Sequence, residues 1–316
     1  AFITLRTIDN FVHGYGLRWN VAERVQAFTH PAWLVLLPPF YAITHEPFFT
    51  TLALQLALAL ATVLLVVRVV ARSPAQACLA IACFISSKAL VDFSTSGLEN
   101  PLTHFLLASI FLVWRSEPGQ SRVTALTALV ACAVLCRAEL VLLLAPVLIA
   151  ATRRREPALI ARVAMGSLPL VGWEIFSLVY YGALVPNTAL AKLSTGIPAG
   201  DLLRQGWHYW QATLLFDPVT PLAIVGGATL LMFAYGTRGR VMSVGLLLYT
   251  GFVLSVGGDF MSGRFLTPLL MWALIGLVGL TPSVLLSPRA LVLAAALVVA
   301  GGALVREAPL YNGARF

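Results

Sequence analysis

Long apolar runs separated by short polar breaks dominate the chain from residue 49 onward. A helix crosses the hydrocarbon core in about 20 apolar residues, fewer where its ends are buried in protein. On that measure the pattern predicts spans near 49–71, 75–92, 101–115, 122–137, 140–152, 158–180, 220–236, 240–257, 264–285 and 289–305. Helices are the expected element, because an open sheet edge cannot survive in lipid. Pro74, Pro101, Pro157, Gly182, Pro221, Gly236 and Pro288 punctuate the run ends. The segment 31–45 is apolar but short and holds Pro38 and Pro39, so it reads as interfacial or re-entrant. The pattern therefore predicts an all-α polytopic membrane protein of about ten spans. Residues 1–48 form an outer loop with interfacial helices, 49–305 the transmembrane bundle, and 306–316 the start of a further outer segment.

Composition narrows the class. Of 316 residues, 59% are hydrophobic and 11% charged, with a mean hydropathy of +0.88. A soluble domain carries about 25% charged residues, so this chain lacks the polar surface to cover a water-soluble globule. Disorder is excluded by the same figures. Net charge +8 and a pI near 9.7 suggest nucleic acid, but the basic residues lie in short loops between apolar runs rather than on one face. No nucleic-acid partner is expected. Cys78, Cys83, Cys132 and Cys136 sit within apolar runs and read as small hydrophobes. His13, His30, His45, His104 and His208 show no ligand spacing, so no metal or other cofactor is assigned. The chain begins at Ala1 without a signal peptide and reads as a fragment whose upstream part, including one span, precedes it.

Charge fixes the expected orientation. With the N-terminal loop outside, the inner loops hold Arg68, Arg72, Arg115, Arg122, Arg153, Arg154, Arg155, Arg162, Arg238, Arg240 and Arg289, against the acids Glu117 and Glu156. The other side then takes the rest of the 21 bases and 13 acids and is close to neutral. Short basic inner loops are what the positive-inside rule describes.

The unusual polar segments fall on the outer side: 1–30, DFSTSGLEN (92–100), CRAEL (136–140), YYGALVPNTALAK (180–192), 193–219 and GGDFMSGR (257–264). Arg137 and Glu139 interrupt an apolar run from Val123 to Ala151. Ionisable groups at membrane depth are costly and usually functional; the alternative is a turn whose pair is self-satisfying. In GGDFMSGR, Asp259 and Arg264 are either a salt-bridged glycine turn or a clamp, with Arg264 on phosphate and Asp259 on hydroxyls. Glu99 and Asn100 precede Pro101 and suit a helix start, where a capping role is the plain alternative. Lys192 at an outer span end reads by itself as a solvated or snorkelling lysine. Trp207, Tyr209 and Trp210 read as interfacial belt residues, with sugar stacking the rarer use.

LRTIDNFVHGYGLRWNVAERVQAFT (5–29), FSTSGLENPL (93–102), CRAEL, YYGALVPNTALAK and GGDFMSGR, in that order, resemble one family. It is that of the mycobacterial terminal β-(1→2)-arabinofuranosyltransferase and its bacterial relatives, within the GT-C superfamily. Three features depart from the family pattern. Its acidic pair, the site of the catalytic base in such enzymes, would lie before Ala1. Ala138 stands where proline is common, and the soluble outer domain would follow Phe316.

The resemblance implies a GT-C-type helix bundle in the bacterial inner (plasma) membrane, with its active face outward. The donor would be a polyprenyl-phosphate sugar, and the acceptor a cell-envelope glycan or glycolipid. Transfer would invert the anomeric centre, with one carboxylate taking the acceptor proton. Arg264, Arg137 and Lys192 would balance the donor phosphate; Glu99, Glu139, Asn187 and Asp259 would orient sugar or acceptor hydroxyls. Asp259 is also the fallback base within this chain. The rival reading is a transporter or flippase of lipid-linked sugars. It needs a polar path across both leaflets, and the inner halves of the spans read as uniformly apolar.

Overall fold

A computed structural model describes residues 2–117, 120–153, 158–186, 196–280 and 288–303. Among these every regular element is helical. In chain order they are α1 (Phe2–Val12), α2 (Pro31–Leu36), α3 (Pro38–Thr44), α4 (Pro47–Leu65, continued by a π turn over Val66–Val70), α5 (Pro74–Ser86), α6 (Lys88–Asp92), α7 (Asn100–Arg115), α8 (Gln120–Cys136), α9 (Leu140–Ala151), α10 (Leu159–Tyr181), α11 (Ala199–Phe216), α12 (Val219–Ala234), α13 (Gly236–Ser255), α14 (Thr267–Gly279, after a 3₁₀ turn at Arg264–Leu266) and α15 (Pro288–Ala303).

Among the described residues each expected span overlaps helix, the one over 75–92 being broken at Ser87 into α5 and α6, but crossing length is another matter. Two helices are long and apolar enough to cross a membrane, Pro47–Val70 and Leu159–Tyr181. The pair α11–α12 passes the same test together, yet is bent by 112°. Most of the others have 12–17 residues; at a rise of 1.5 Å, 16 residues reach about 24 Å, short of a core of about 30 Å. The structure thus supports an all-helical membrane protein with two to three clear crossings among the described residues.

The segment 193–219, grouped above with the outer polar segments, is for the most part the helix α11. Gly206, Tyr209 and Thr213 are buried while Arg204, Trp207 and His208 are exposed. That spacing is helical, but the polar face hides it from a search for apolar runs.

The chain divides into two compact units. The first comprises Ala1–Ala59, Thr95–Val141 and Leu148–Gly196. Here α8 packs on α7 and α10, and α2 on α8. Gly166 permits the α8–α10 approach: a Cβ there would lie 2.5 Å from Thr127 Cβ and 2.6 Å from the Thr124 carbonyl. Small residues at such crossings let helices pack closely in lipid. Ile8, Phe28, Trp33, Leu34, Leu37 and Tyr41 form a buried cluster that docks α1 onto α2 and α3.

The second unit comprises Leu60–Ser94, Leu142–Val147 and Ile197–Phe316. In it α12 packs on α13 and α14, and α5 on α15. Helix α14 is buried along nearly its whole length. Two serines start short helices. The Ser73 hydroxyl accepts from the Gln76 amide at α5 (3.3 Å), and that of Ser87 from the Leu90 amide at α6 (3.1 Å).

Candidate functional site

In the first unit, the polar motifs are folded inward. The STSGLEN turn leads into α7, and Gly97 adopts φ +77° within it. Its backbone is held by a residue on α4. Gln55, fully buried, donates from Nε2 to the Leu98 carbonyl (2.7 Å) and accepts at Oε1 from the Gly97 amide (2.9 Å). Glu99 follows at the N-cap position, 1% exposed, and its side chain makes no cap hydrogen bond. The capping alternative is therefore not what this carboxylate does.

Glu99 faces a histidine and an arginine instead. Its Oε2 lies 3.6 Å from His30 Nδ1, and its Oε1 lies 4.0 Å from Arg137 Nη1. Arg137 directly follows α8 and is 4% exposed. Its Nε and Nη2 both donate to Glu139 Oε1, at 2.8 and 2.6 Å. The Arg137–Glu139 turn does carry a satisfied pair, as the structural alternative held, but Glu99 joins it from a distant motif. His30 Nε2 is in turn 2.7 Å from the Thr4 hydroxyl. The result is a row Thr4–His30–Glu99–Arg137–Glu139 built from four separate segments. A buried pair of this kind demands close hydrogen-bonding support, because desolvation of each ion costs several kcal/mol.

An apolar cavity of about 740 Å³ lies in the same unit, lined among others by Leu17, Pro31, Val35, Leu102, Leu135 and Trp173. Pro31 adjoins His30, Leu102 lies three residues beyond Glu99, and Leu135 two before Arg137. The row and the cavity are therefore carried by the same helix ends.

In the second unit, GGDFMSGR forms a turn with three left-handed glycines, Gly257, Gly258 and Gly263. Arg264 Nη1 lies 3.4 Å from Asp259 Oδ2, with both side chains largely buried. Tyr209 is the clamp of this turn. Its hydroxyl donates to the Met261 carbonyl (3.3 Å) and accepts from the Phe265 amide (3.1 Å). At 6% exposure it is buried in this turn rather than presented as a belt residue, whereas Trp207 is 58% exposed. The same unit holds a buried carboxylate that the sequence reading passed over. Asp217 Oδ2 accepts from the Thr220 hydroxyl (2.6 Å) and the Ala89 amide (2.9 Å), and Oδ1 from the Thr220 amide (3.2 Å).

The expected site residues thus fall into Glu99–Arg137–Glu139 in one unit and Asp259–Arg264 in the other. Lys192 and Asn187 lie outside the described residues. Two curated proteins are similar to the chain. The terminal beta-(1->2)-arabinofuranosyltransferase of Mycobacterium tuberculosis is 32% identical over 90% of this chain and 52% of its own length. The protein of the same name from Corynebacterium glutamicum is 27% identical over 84% of the chain and 45% of its own. These matches bear out the resemblance read from the motifs. The chain spans about half the length of these relatives. No family model and no solved structure matches it.

Gln55, His30 and Thr4 escaped sequence reasoning. Gln55 was in principle legible, as a lone amide inside a long apolar run. His30 and Thr4 were not, because only the fold brings them to Glu99.

Proposed function

We propose that the full-length protein is an inverting glycosyltransferase of the bacterial plasma membrane. It takes a sugar, arabinofuranose by the names of its relatives, from a polyprenyl-phosphate donor and passes it to a cell-envelope glycan on the outer face. The reading is carried by the buried Glu99–Arg137–Glu139 node beside an apolar cavity of about 740 Å³. A polar node suits a sugar-phosphate head, and an apolar cavity suits a hydrocarbon tail. The ten apolar helices are read as spans, with the basic loops on the cytosolic side.

In this mechanism the acceptor hydroxyl attacks the anomeric carbon as the phosphate leaves, through a state with oxocarbenium character. Phosphate is already a good leaving group, so cations that balance its charge replace a general acid. Arg137 in the first unit and Arg264 in the second are each a candidate for that role, as is Lys192. Glu99, Glu139 and Asn187 orient hydroxyls. Asp259 is the proton acceptor available within this chain: once Arg264 turns to the phosphate, the carboxylate is released to act as a base.

The test is turnover of a radiolabelled polyprenyl-phosphate sugar by the full-length protein in vesicles. Arg137→Ala and Arg264→Ala are each expected to lower transfer by about 100-fold or more. Wild-type transfer by both variants would overturn the assignment. Movement of the donor across the bilayer without any transfer would instead favour the transporter.

A further inference from the structure

We infer that His30 is a positioning residue for Glu99, its Nδ1–H turned to the carboxylate because the Thr4 hydroxyl occupies Nε2. The inference rests on the transferase reading for its consequence, but its geometry stands by itself. His30 Nδ1 lies 3.6 Å from Glu99 Oε2, and Nε2 lies 2.7 Å from Thr4 Oγ1. All three residues are at least nine-tenths buried.

The proton's place follows from charge. A bare Nδ1 lone pair facing a buried carboxylate would be repulsive, so Nδ1 carries the hydrogen. Nε2 of the neutral ring is then an acceptor, and the Thr4 hydroxyl must donate to it. Thr7, one turn along α1, sends its own hydroxyl to the Ile3 carbonyl (2.9 Å).

The effect on Glu99 is directional. Its Oε2 faces His30 at 3.6 Å and its Oε1 faces Arg137 at 4.0 Å, both within ion-pair range and both longer than a direct hydrogen bond. Arg137 meanwhile directs two donors to Glu139. His30 and Arg137 thus approach Glu99 through different oxygens, and the orientation of the carboxylate depends on both. Misplacement of such a group by about 1 Å can cost up to about 100-fold in rate.

Two amides separate the halves of this arrangement. Asparagine places its NH₂ where Nδ1 stands, and glutamine places its own where Nε2 stands. His30→Asn, which keeps the donor to Glu99 but not the acceptor for Thr4, is expected to keep more of kcat than His30→Gln and His30→Ala, which lose about 10- to 100-fold. A second readout needs no transfer. ¹⁵N-histidine solid-state spectra of the full-length protein in bilayers, at about pH 9 where imidazole is neutral, should show His30 as the Nδ1–H tautomer, assigned by the signal lost in His30→Gln. Thr4→Val should convert it to a tautomer mixture. An Nε2–H tautomer unmoved by Thr4→Val would overturn the inference, as would equal kcat in His30→Asn and His30→Gln. Absence of transfer by the wild type would sink the transferase reading instead, and the tautomer spectra would still decide the Thr4–His30–Glu99 geometry.

Discussion

Gln55 on α4 donates to the Leu98 carbonyl at 2.7 Å, one residue before the buried Glu99. With its acceptor on the Gly97 amide, this side chain holds both polar groups of the turn that aims the carboxylate. Gln55→Leu keeps the helix and its apolar surface but strands the buried Leu98 carbonyl and the half-buried Gly97 amide. The expected loss is about 1–3 kcal/mol of stability, with transfer falling further than stability does because Glu99 loses its aim. Thermal unfolding in detergent and donor turnover, measured on the same preparation, check the two effects separately.

Much of the helical layout was legible because apolar runs are long and their breaks are marked by proline and glycine. Arg137 and Glu139 were legible for the same reason, since charge inside an apolar run stands out. Three things were not. Helix α11 hides behind a polar face, and its buried Gly206, Tyr209 and Thr213 repeat only at helical spacing. The break at Ser87, where an apolar run predicted one span over 75–92, depends on the Ser87 hydroxyl meeting Asp217 and Thr220 from 130 and more residues away. The role of His30 likewise depends on Thr4 and Glu99, and no local spacing encodes it.

Gly258 lies against the ring of Tyr209. A Cβ at this position would stand 2.5 Å from the ring's Cγ, and its φ of +76° is itself unfavourable to other residues. Gly258→Ala must therefore displace Tyr209 from the Met261 carbonyl and the Phe265 amide. A destabilisation of about 1–3 kcal/mol is expected. Tyr209→Phe removes the same two hydrogen bonds without the clash, at about 1–2 kcal/mol. Unfolding midpoints of both variants should fall in that order.

Tyr41 gives a pH signature outside the spans. Its hydrogen bond to Asp9 (2.5 Å), then burial and the nearby negative charge, raise the phenol from 10.0 to about 12. A folded-state value above the unfolded one means that folding favours the protonated phenol. The contribution is complete below about pH 10 and is lost as pH rises toward about 12. Tyr41→Phe should be less stable than the wild type at neutral pH and should lack the wild type's extra loss above about pH 10. Unfolding midpoints against pH, with phenolate absorbance as the marker, measure this.

Arg137 sends two nitrogens to one oxygen of Glu139, at 2.8 and 2.6 Å. A lysine offers a single point charge and cannot reproduce that fork. Arg137→Lys should therefore lose most of the transfer that Arg137→Ala loses. Removing only one partner also leaves a buried charge uncompensated, at about 3–5 kcal/mol, whereas replacing both by apolar residues is often close to neutral. Because Glu99 also faces Arg137, only the triple variant Arg137→Met, Glu139→Leu and Glu99→Leu should unfold near the wild-type midpoint while remaining unable to transfer sugar. Stability regained without activity would separate a node that binds substrate from one that merely closes the α8–α9 turn. Recovery of both together would assign Arg137 and Glu139 to the turn alone and move the phosphate role to Arg264.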